Sequence, residues 1–545
     1  FTAEEQDGEV SIPFTFDGSN LEGFTGVMTE TITFNGVVVA EETSLDNEDQ
    51  TIHFSRIRTE ALDDLTEMHI AKAGDISFKD RLSYENLIPG ETYVATATAM
   101  DAEAQTPARD ADGDIITATT TFTARSADGE VELQFDFDGS NLAGKTLVVF
   151  DSVTLNGNEV GYHRDYADTN QQIQIPAVST TLSDSETDFH VAYADDEVIV
   201  TDEIQYENLL PGYSYVLTSE LRQASTGEVL PGRNMTQRQT FTPDTPDGTL
   251  TVTWTIDATD LQDDTVVAYE DIAIRKNFYT NVSVAEHKIL TDEGQSVRFP
   301  EIGTTAADSE TKIDITKADG DATVIDTIEF RNLVAGVQYV AKGWMVDAET
   351  GDVMLDDNGA PIEAQRMFVP EDNDGTVDVT FRFQAETLEG RTGVFYEEVY
   401  YNGVLVADHK EQSDTNQDIH FPMIRTEALD SETGDHASNA DGSITVTDTI
   451  SYWNLPKHEY VATGTLYNAD TGEAYTDANG NPITASTTFT PKEPDGTVEV
   501  VFDFDGTGKD PSTFTVFENV TLNGVSVAEH SELADENQQI RIPAV

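Results

Sequence analysis

A short block returns along the chain at near-constant spacing, and that repeat dictates what the chain can fold into. It reads Asp49-Gln50-Thr51-Ile52-His53-Phe54, then Asn170-Gln171-Gln172-Ile173-Gln174-Ile175, Gly294-Gln295-Ser296-Val297-Arg298-Phe299, Asn416-Gln417-Asp418-Ile419-His420-Phe421 and Asn537-Gln538-Gln539-Ile540-Arg541-Ile542. The Gln positions step by 121, 124, 122 and 121 residues, and nine residues beyond the first four stand Thr59, Thr180, Thr304 and Thr426. A period of this length is enough for each copy to bury a core of its own. The expected modules are 1–55, the C-terminal half of one copy, and then 56–176, 177–300, 301–422 and 423–545. Phe1-Thr2 aligns with Phe122-Thr123 in mid-repeat and Ala544-Val545 with Ala177-Val178, so the chain reads as a segment of a longer fibre.

Within each copy the apolar residues alternate with period two, as in Val131-Glu132-Leu133-Gln134-Phe135-Asp136-Phe137 and Val498-Glu499-Val500-Val501-Phe502-Asp503-Phe504. That pattern sets one face in a core and the other in water, the mark of a half-buried strand. Asn35-Gly36, Asn156-Gly157, Asn402-Gly403 and Asn523-Gly524 punctuate one hairpin, and Thr226-Gly227, Thr350-Gly351 and Thr471-Gly472 another. Such pairs supply the positive φ that tight hairpins need. With no long amphipathic helix, the expectation is an all-β chain of tandem immunoglobulin-like, Greek-key β-sandwiches. Nine residues from Gln to Thr leave no room for a loose linker, so the modules are expected to abut as an elongated rod.

The formal net charge of -74 makes nucleic acid or an anionic membrane surface an improbable partner. There is no Cys, so disulfides and thiolate metal sites are ruled out and stability must come from elsewhere. No apolar run approaches the roughly 20 residues of a membrane-spanning helix. No cofactor and no metal site are expected. Asp110-Ala111-Asp112-Gly113-Asp114 and Asp372-Asn373-Asp374-Gly375 resemble calcium loops only superficially; their Gly positions and missing distal Glu fit Asx turns better.

Other polar residues keep register with the Gln. Eight residues before it come His163, His287, His409 and His530. At the end of the preceding strand stands an acid, Asp151, Glu270, Glu397 or Glu518, and past each Thr comes Asp80, Asp202, Asp326 or Asp448. A Thr hydroxyl is a weak nucleophile that needs a base, which a neutral His supplies. Two carboxyls crowded in an apolar site raise one another's pKa, so one stays protonated and can polarise the Gln carbonyl. Attack would expel ammonia and leave an ester between the two side chains. Copied polar residues are often only turn formers and caps, and an Asp or Thr alone would carry no more than that. The His is more telling: of ten in the chain, four fall at one register. A Thr-His-Asp hydrolase is a further reading, but four tandem copies in an acidic chain speak against a turnover enzyme.

Taken together these residues resemble the T-Q ester-bond domains, related to VaFE repeats, of Gram-positive surface adhesins and pilus-like stalks. The likeness rests on the Thr pairs (Thr180-Thr181, Thr304-Thr305; Thr59-Glu60, Thr426-Glu427), on Asp448-Thr449-Ile450 with Tyr452-Trp453-Asn454-Leu455, on the Val-Phe-Glu strand end and on the His-to-Gln spacing. The resemblance implies an immunoglobulin-like fold and a spontaneous ester joining first and last strands, with the first Thr of each pair as nucleophile. The bonds would be Thr59–Gln171, Thr180–Gln295, Thr304–Gln417 and Thr426–Gln538, formed once and without turnover. Asp151 is one methylene shorter than its Glu counterparts, so it is expected to fall short of Asp80 and to slow its bond. In the opening copy Glu30 and Gln50 are in place but Glu42 stands where His belongs, which argues for an uncrosslinked module.

Closing loops of more than a hundred residues would add roughly 4 to 5 kcal/mol in the chain-entropy view, in place of disulfides. The expected role is a structural stalk on a bacterial cell surface, extracellular and wall-anchored through a region outside this segment. Its expected partners are neighbouring modules and other copies in a filament. The competing reading is an adhesive β-sandwich that itself binds a glycan or Ca2+.

Overall fold

The computed structural model describes residues 1–439, 442–508 and 511–543. Ala544 and Val545, which the repeat alignment sets against Ala177 and Val178, lie outside the described residues. Strands and short 3-10 turns are the regular elements among the described residues. The chain divides into two compact units, Phe1–Leu182 with Thr201–Trp254 and Val266–Ser296, and Ser183–Val200 with Thr255–Thr265 and Val297–Val545.

In the second unit the repeat that begins at Glu301 shows the architecture. Glu301–Asp308, Asp321–Arg331 and Gly375–Gln384 form a three-stranded antiparallel sheet with Asp321–Arg331 in the middle. A second sheet runs Glu363–Phe368, Tyr339–Asp347, Thr392–Tyr401 and Val404–His409, and the short strand Asp418–His420 also pairs with Thr392–Tyr401. Burial along Asp321–Arg331 alternates residue by residue, as the period-two pattern requires. Val324, Ile328, Tyr339, Phe381, Phe395 and Phe421 meet in the core between the sheets. The same two-sheet plan recurs in the last repeat, around Val446, Tyr460, Phe502 and Phe514.

In the first unit, Arg56–Asp63, Asp75–Glu85 and Gly129–Asp138 build the three-stranded sheet of the repeat that starts after Ser55, and its core gathers Phe78, Tyr93, Phe135 and Val149. Fully burying each such aromatic contributes about 1.5–3 kcal/mol.

The hairpin that ends in His has the same Asn-Gly tip in three of the four complete copies. Asn402 and Gly403 take φ of 47° and 88°, and Asn156, Asn523 and their glycines do the same, as a two-residue turn between right-twisted strands demands. A register shift sits two residues beyond the acid each time, between Val153/Thr154, Ile272/Ala273, Val399/Tyr400 and Val520/Thr521. This extra residue is a β-bulge that twists the hairpin locally. The calcium-like loop at Asp110 closes on its own backbone, its Oδ1 accepting the N–H groups of Asp112 and Asp114 at 3.1 and 2.8 Å.

Candidate functional site

Strand pairing brings the candidate residues of each repeat to one buried place. Thr304 lies on the first strand opposite Ile328, and Asp326 lies on the middle strand between Ala306 and Val379. Glu397 faces them from the other sheet, set between Gly343 and His409. Gln417 closes the group from a turn, its N–H donating to the Asp414 carbonyl at 3.1 Å, that ends where the last strand begins. Asp326, Glu397 and Gln417 are wholly buried, and Thr304 nearly so. Alternation also selects within each Thr pair, because Thr305 and Glu427 point to solvent while Thr304 and Thr426 point inward.

The Thr and Gln side chains meet. The Gln171 amide nitrogen donates to Thr59 Oγ1 at 2.6 Å and that of Gln417 to Thr304 Oγ1 at 2.5 Å, with the same contact between Gln538 and Thr426. Thr304 Oγ1 donates to Glu397 Oε2 at 3.2 Å and Thr426 Oγ1 to Glu518 Oε2 at 3.1 Å. The second repeat is arranged differently: Thr180 donates to Asp202, and the Gln295 amide donates to Glu270 Oε2 at 3.0 Å.

Both acids of each pair are perturbed. Burial, and then the facing Asp326, push the Glu397 carboxyl well above the usual carboxylate range, and burial raises Asp326 to about 6. Glu270 and Glu518 are raised in the same way, by burial and by Asp202 and Asp448. As carboxylates, neither oxygen of Asp80, Asp326 or Asp448 has a donor. A proton kept by one member of each pair and shared with the other satisfies them.

Asp151 does not fall short. Burial, and then the neighbouring Asp80, push its carboxyl well above the usual carboxylate range, as happens to its Glu counterparts. The expectation of a separated pair in this repeat is therefore corrected.

The four imidazoles sit in cross-strand register with the acids, as Glu397 with His409 and Glu518 with His530. Their Nε2 atoms, however, face a carboxylate five residues on: Asp168 at 3.4 Å, Asp292 at 2.8 Å, Asp414 at 3.1 Å and Asp535 at 3.0 Å. Among the described residues none of these four imidazoles is hydrogen-bonded to the hydroxyl of Thr59, Thr180, Thr304 or Thr426. The group that meets the hydroxyl is a carboxyl, which corrects the expectation that His takes the proton by direct contact.

Two features of the site escaped the sequence reading. The first is that Asp, whose other oxygen accepts the N–H of Asn170, Gly294, Asn416 or Asn537 and so shapes the turn that presents the Gln. Its fixed place three residues before Gln was the available signal, hidden because Asp in a turn is ordinary. The second is the small residue opposite each acid, Ala97, Ser219, Gly343 or Gly464. A Cβ on Gly343 would stand 2.7 Å from Phe381 Cζ, and one on Gly464 2.5 Å from Phe502 Cζ.

In the opening copy the Gln50 amide donates to Glu30 Oε2 at 2.5 Å, and Asn47 holds the turn as Asp does elsewhere. Asn47 and Glu42 replace Asp and His together. A second carboxylate beside Glu42 would add repulsion with no imidazole between.

The retained protons give a pH signature. A Thr426→Ala chain, whose last repeat cannot close, is expected to lose stability in that repeat as pH rises from about 4, where unfolded carboxyls titrate. The folded pair binds protons that the unfolded chain releases, so stability falls as pH rises through about 6 for Asp448 and on toward about 10 for Glu518. Adding Glu518→Gln should flatten that slope in chemical unfolding measured across this range; an unchanged slope would assign it to surface charge.

Fold and site together define a class, a tandem β-sandwich whose first and last strands meet at a buried Thr–Gln pair attended by two carboxyls. The chain belongs to the family of the T-Q ester bond containing domain, whose sequence profile matches residues 1–54, 55–175, 176–299, 300–421 and 422–542. No curated protein sequence matches the chain. Among solved structures it is similar to a bacterial adhesin from Mobiluncus mulieris containing intramolecular disulfide, isopeptide and ester bond cross-links, at 17% identity and a TM-score of 0.20, covering 40% of this chain and 80% of that one. A second crystal form of the adhesin gives 16% identity, a TM-score of 0.19 and the same coverage. Escherichia coli alpha-2-macroglobulin activated by porcine elastase shows 12% identity and a TM-score of 0.15 over 90% of this chain and 44% of that one.

Proposed function

We propose that the chain is a structural segment of an adhesin-related, cell-surface protein, and that each repeat from residue 56 onward closes itself with an ester between Thr and Gln. The observation that carries this reading is the buried Thr–Gln contact of three repeats, beside a carboxyl pair whose burial favours a retained proton. Thr Oγ1 adds to the Gln side-chain carbonyl carbon, the C–N bond breaks, and the hydroxyl proton leaves with the amide nitrogen as ammonia. The ionised member of the acid pair accepts the hydroxyl proton, and the neutral member donates to the carbonyl oxygen where negative charge develops. The His–Asp pair fixes the turn that presents the Gln. The reaction happens once per repeat, so the protein is a substrate of its own chemistry rather than a turnover enzyme.

With the ends joined, tension entering a repeat passes through covalent bonds and bypasses the sheets. This suits an extracellular stalk that holds an adhesive or assembling tip away from a cell wall. Intact mass of the full chain should show four ammonia losses, mapped by peptide analysis to Thr59–Gln171, Thr180–Gln295, Thr304–Gln417 and Thr426–Gln538. Unmodified Gln at those positions in folded protein would sink the crosslink.

A further inference from the structure

We infer that the far end of each module is a receptor surface for one asparagine of the module that follows, and that this clasp, not the length of the connector, sets the stiffness of the junction. The asparagines are Asn86, Asn208, Asn332 and Asn454, all in the left-handed region with φ of 63°, 62°, 60° and 55°. Each is fixed from its own module, its N–H donating to Asp128, Asp247, Asp374 or Asp495 at 2.9–3.0 Å. The side-chain amide then reaches back. Its Nδ2 donates to the carbonyl of Phe24, Lys145, Asp264 or Arg391, and its Oδ1 lies 3.0–3.3 Å from the hydroxyl of Thr25, Thr146, Thr265 or Thr392.

Three of the clasps also take hold of the strand that directly follows the crosslinking Gln or its counterpart. Asn86 Oδ1 meets His53 Nδ1 at 2.9 Å, Asn332 Oδ1 meets Arg298 Nη1 at 2.9 Å, and Asn454 Oδ1 meets His420 Nδ1 at 2.8 Å. His420 stands three residues after Gln417, on the last strand of its module. Between that strand and Met423–Asp430 of the next module only Phe421 and Pro422 remain, and Phe421 is buried in the core it leaves. The nine residues from Gln417 to Thr426 are thus taken up by the two sheets and spanned by Asn454. One amide contributes both a donor and an acceptor across the junction, and an aligned pair of that kind specifies orientation as well as contact.

A second contact recurs beside the first. The residue thirteen beyond the Thr docks on the residue preceding His in the next module: Lys72 on Glu286 at 2.6 Å, Tyr193 on Asp408 at 2.8 Å and Lys317 on Glu529 at 2.8 Å. Two of these three are partly exposed ion pairs of small individual worth. The asparagine is accordingly the residue to test.

The inference stands whether or not the ester forms, because every contact named lies outside the Thr–Gln site. With no native Cys, spin labels at Thr376→Cys and Thr497→Cys, both on exposed strand positions, report the junction between the last two modules of the full chain. Pulsed dipolar spectroscopy should give one narrow distance peak. Asn454→Gly, which keeps the left-handed backbone at no steric cost, should lose that narrow peak, and labels within one module should keep theirs. A broad distribution before substitution, or a peak that stays narrow after it, would overturn the clasp. Asn86→Gly at the first junction provides a second test of the same kind.

Discussion

Pulled from both ends, a chain carrying Thr304→Ala is expected to release one step of nearly full module length that the unsubstituted chain does not show. The reason is where the proposed bond lies. Thr304 is on the first strand of its module and Gln417 immediately precedes the last, 113 residues on. In an open sandwich, force parts the two sheets and frees that whole stretch, at up to about 3.6 Å per residue or roughly 400 Å in all. In a closed one the same residues lie off the load path and cannot extend. Loss of a Thr hydroxyl removes the nucleophile with little change of packing, so the variant unfolds as one unit and its neighbours stay closed. Full-length steps from the complete, unsubstituted modules would show that load runs through the sheets, and the stalk proposal would then rest on β-sheet shear alone.

Glu518→Gln is expected to leave the last repeat folded and to abolish its ammonia loss. The carboxyl of Glu518 is buried against Asp448 and receives the Thr426 hydroxyl at 3.1 Å. A carboxamide of the same shape can neither relay that proton to Asp448 nor share one with it. His530→Ala tests a different element. His530 is held by Asp535, which shapes the Gln538 turn, so its loss is expected to slow closure or stop it by misplacing the Gln. Rates of mass loss after refolding separate the two cases. Full-rate closure in Glu518→Gln would remove the acid pair from the mechanism, and full-rate closure in His530→Ala would leave the imidazole without a role in it.

Much of this was legible in the chain because the repeat supplies its own comparison. Strand alternation, the Asn-Gly turns and the register of Thr, acid, His and Gln could each be read four times. What stayed hidden depends on contacts between sheets, which leave no periodic trace. The pairing of Asp151 with Asp80 is made between facing sheets, and the openings at Gly343 and Gly464 are set by Phe381 and Phe502 on the facing sheet. Asn454 was visible as part of a recurring Asn-Leu pair, but its work is done in the preceding module, and a reading confined to one repeat cannot find it.

The β-bulge in the His hairpin has a consequence for how such a chain can diversify. It stands two residues from the acid in all four complete copies, although the hairpin tip of the second is longer, running from Lys276 to Thr280. The extra residues are absorbed entirely beyond the bulge, and Glu270 still faces His287. At that tip the backbone turns on Asn277, Lys276 is tethered to the carbonyl of Leu65, and Phe278 and Tyr279 stand out into solvent. The bulge thus acts as a firebreak between a site that tolerates no displacement and a loop free to vary in length and sequence. Foreign peptides grafted at the tips of the other hairpins would be displayed at regular intervals along the chain without disturbing the chemistry beneath them.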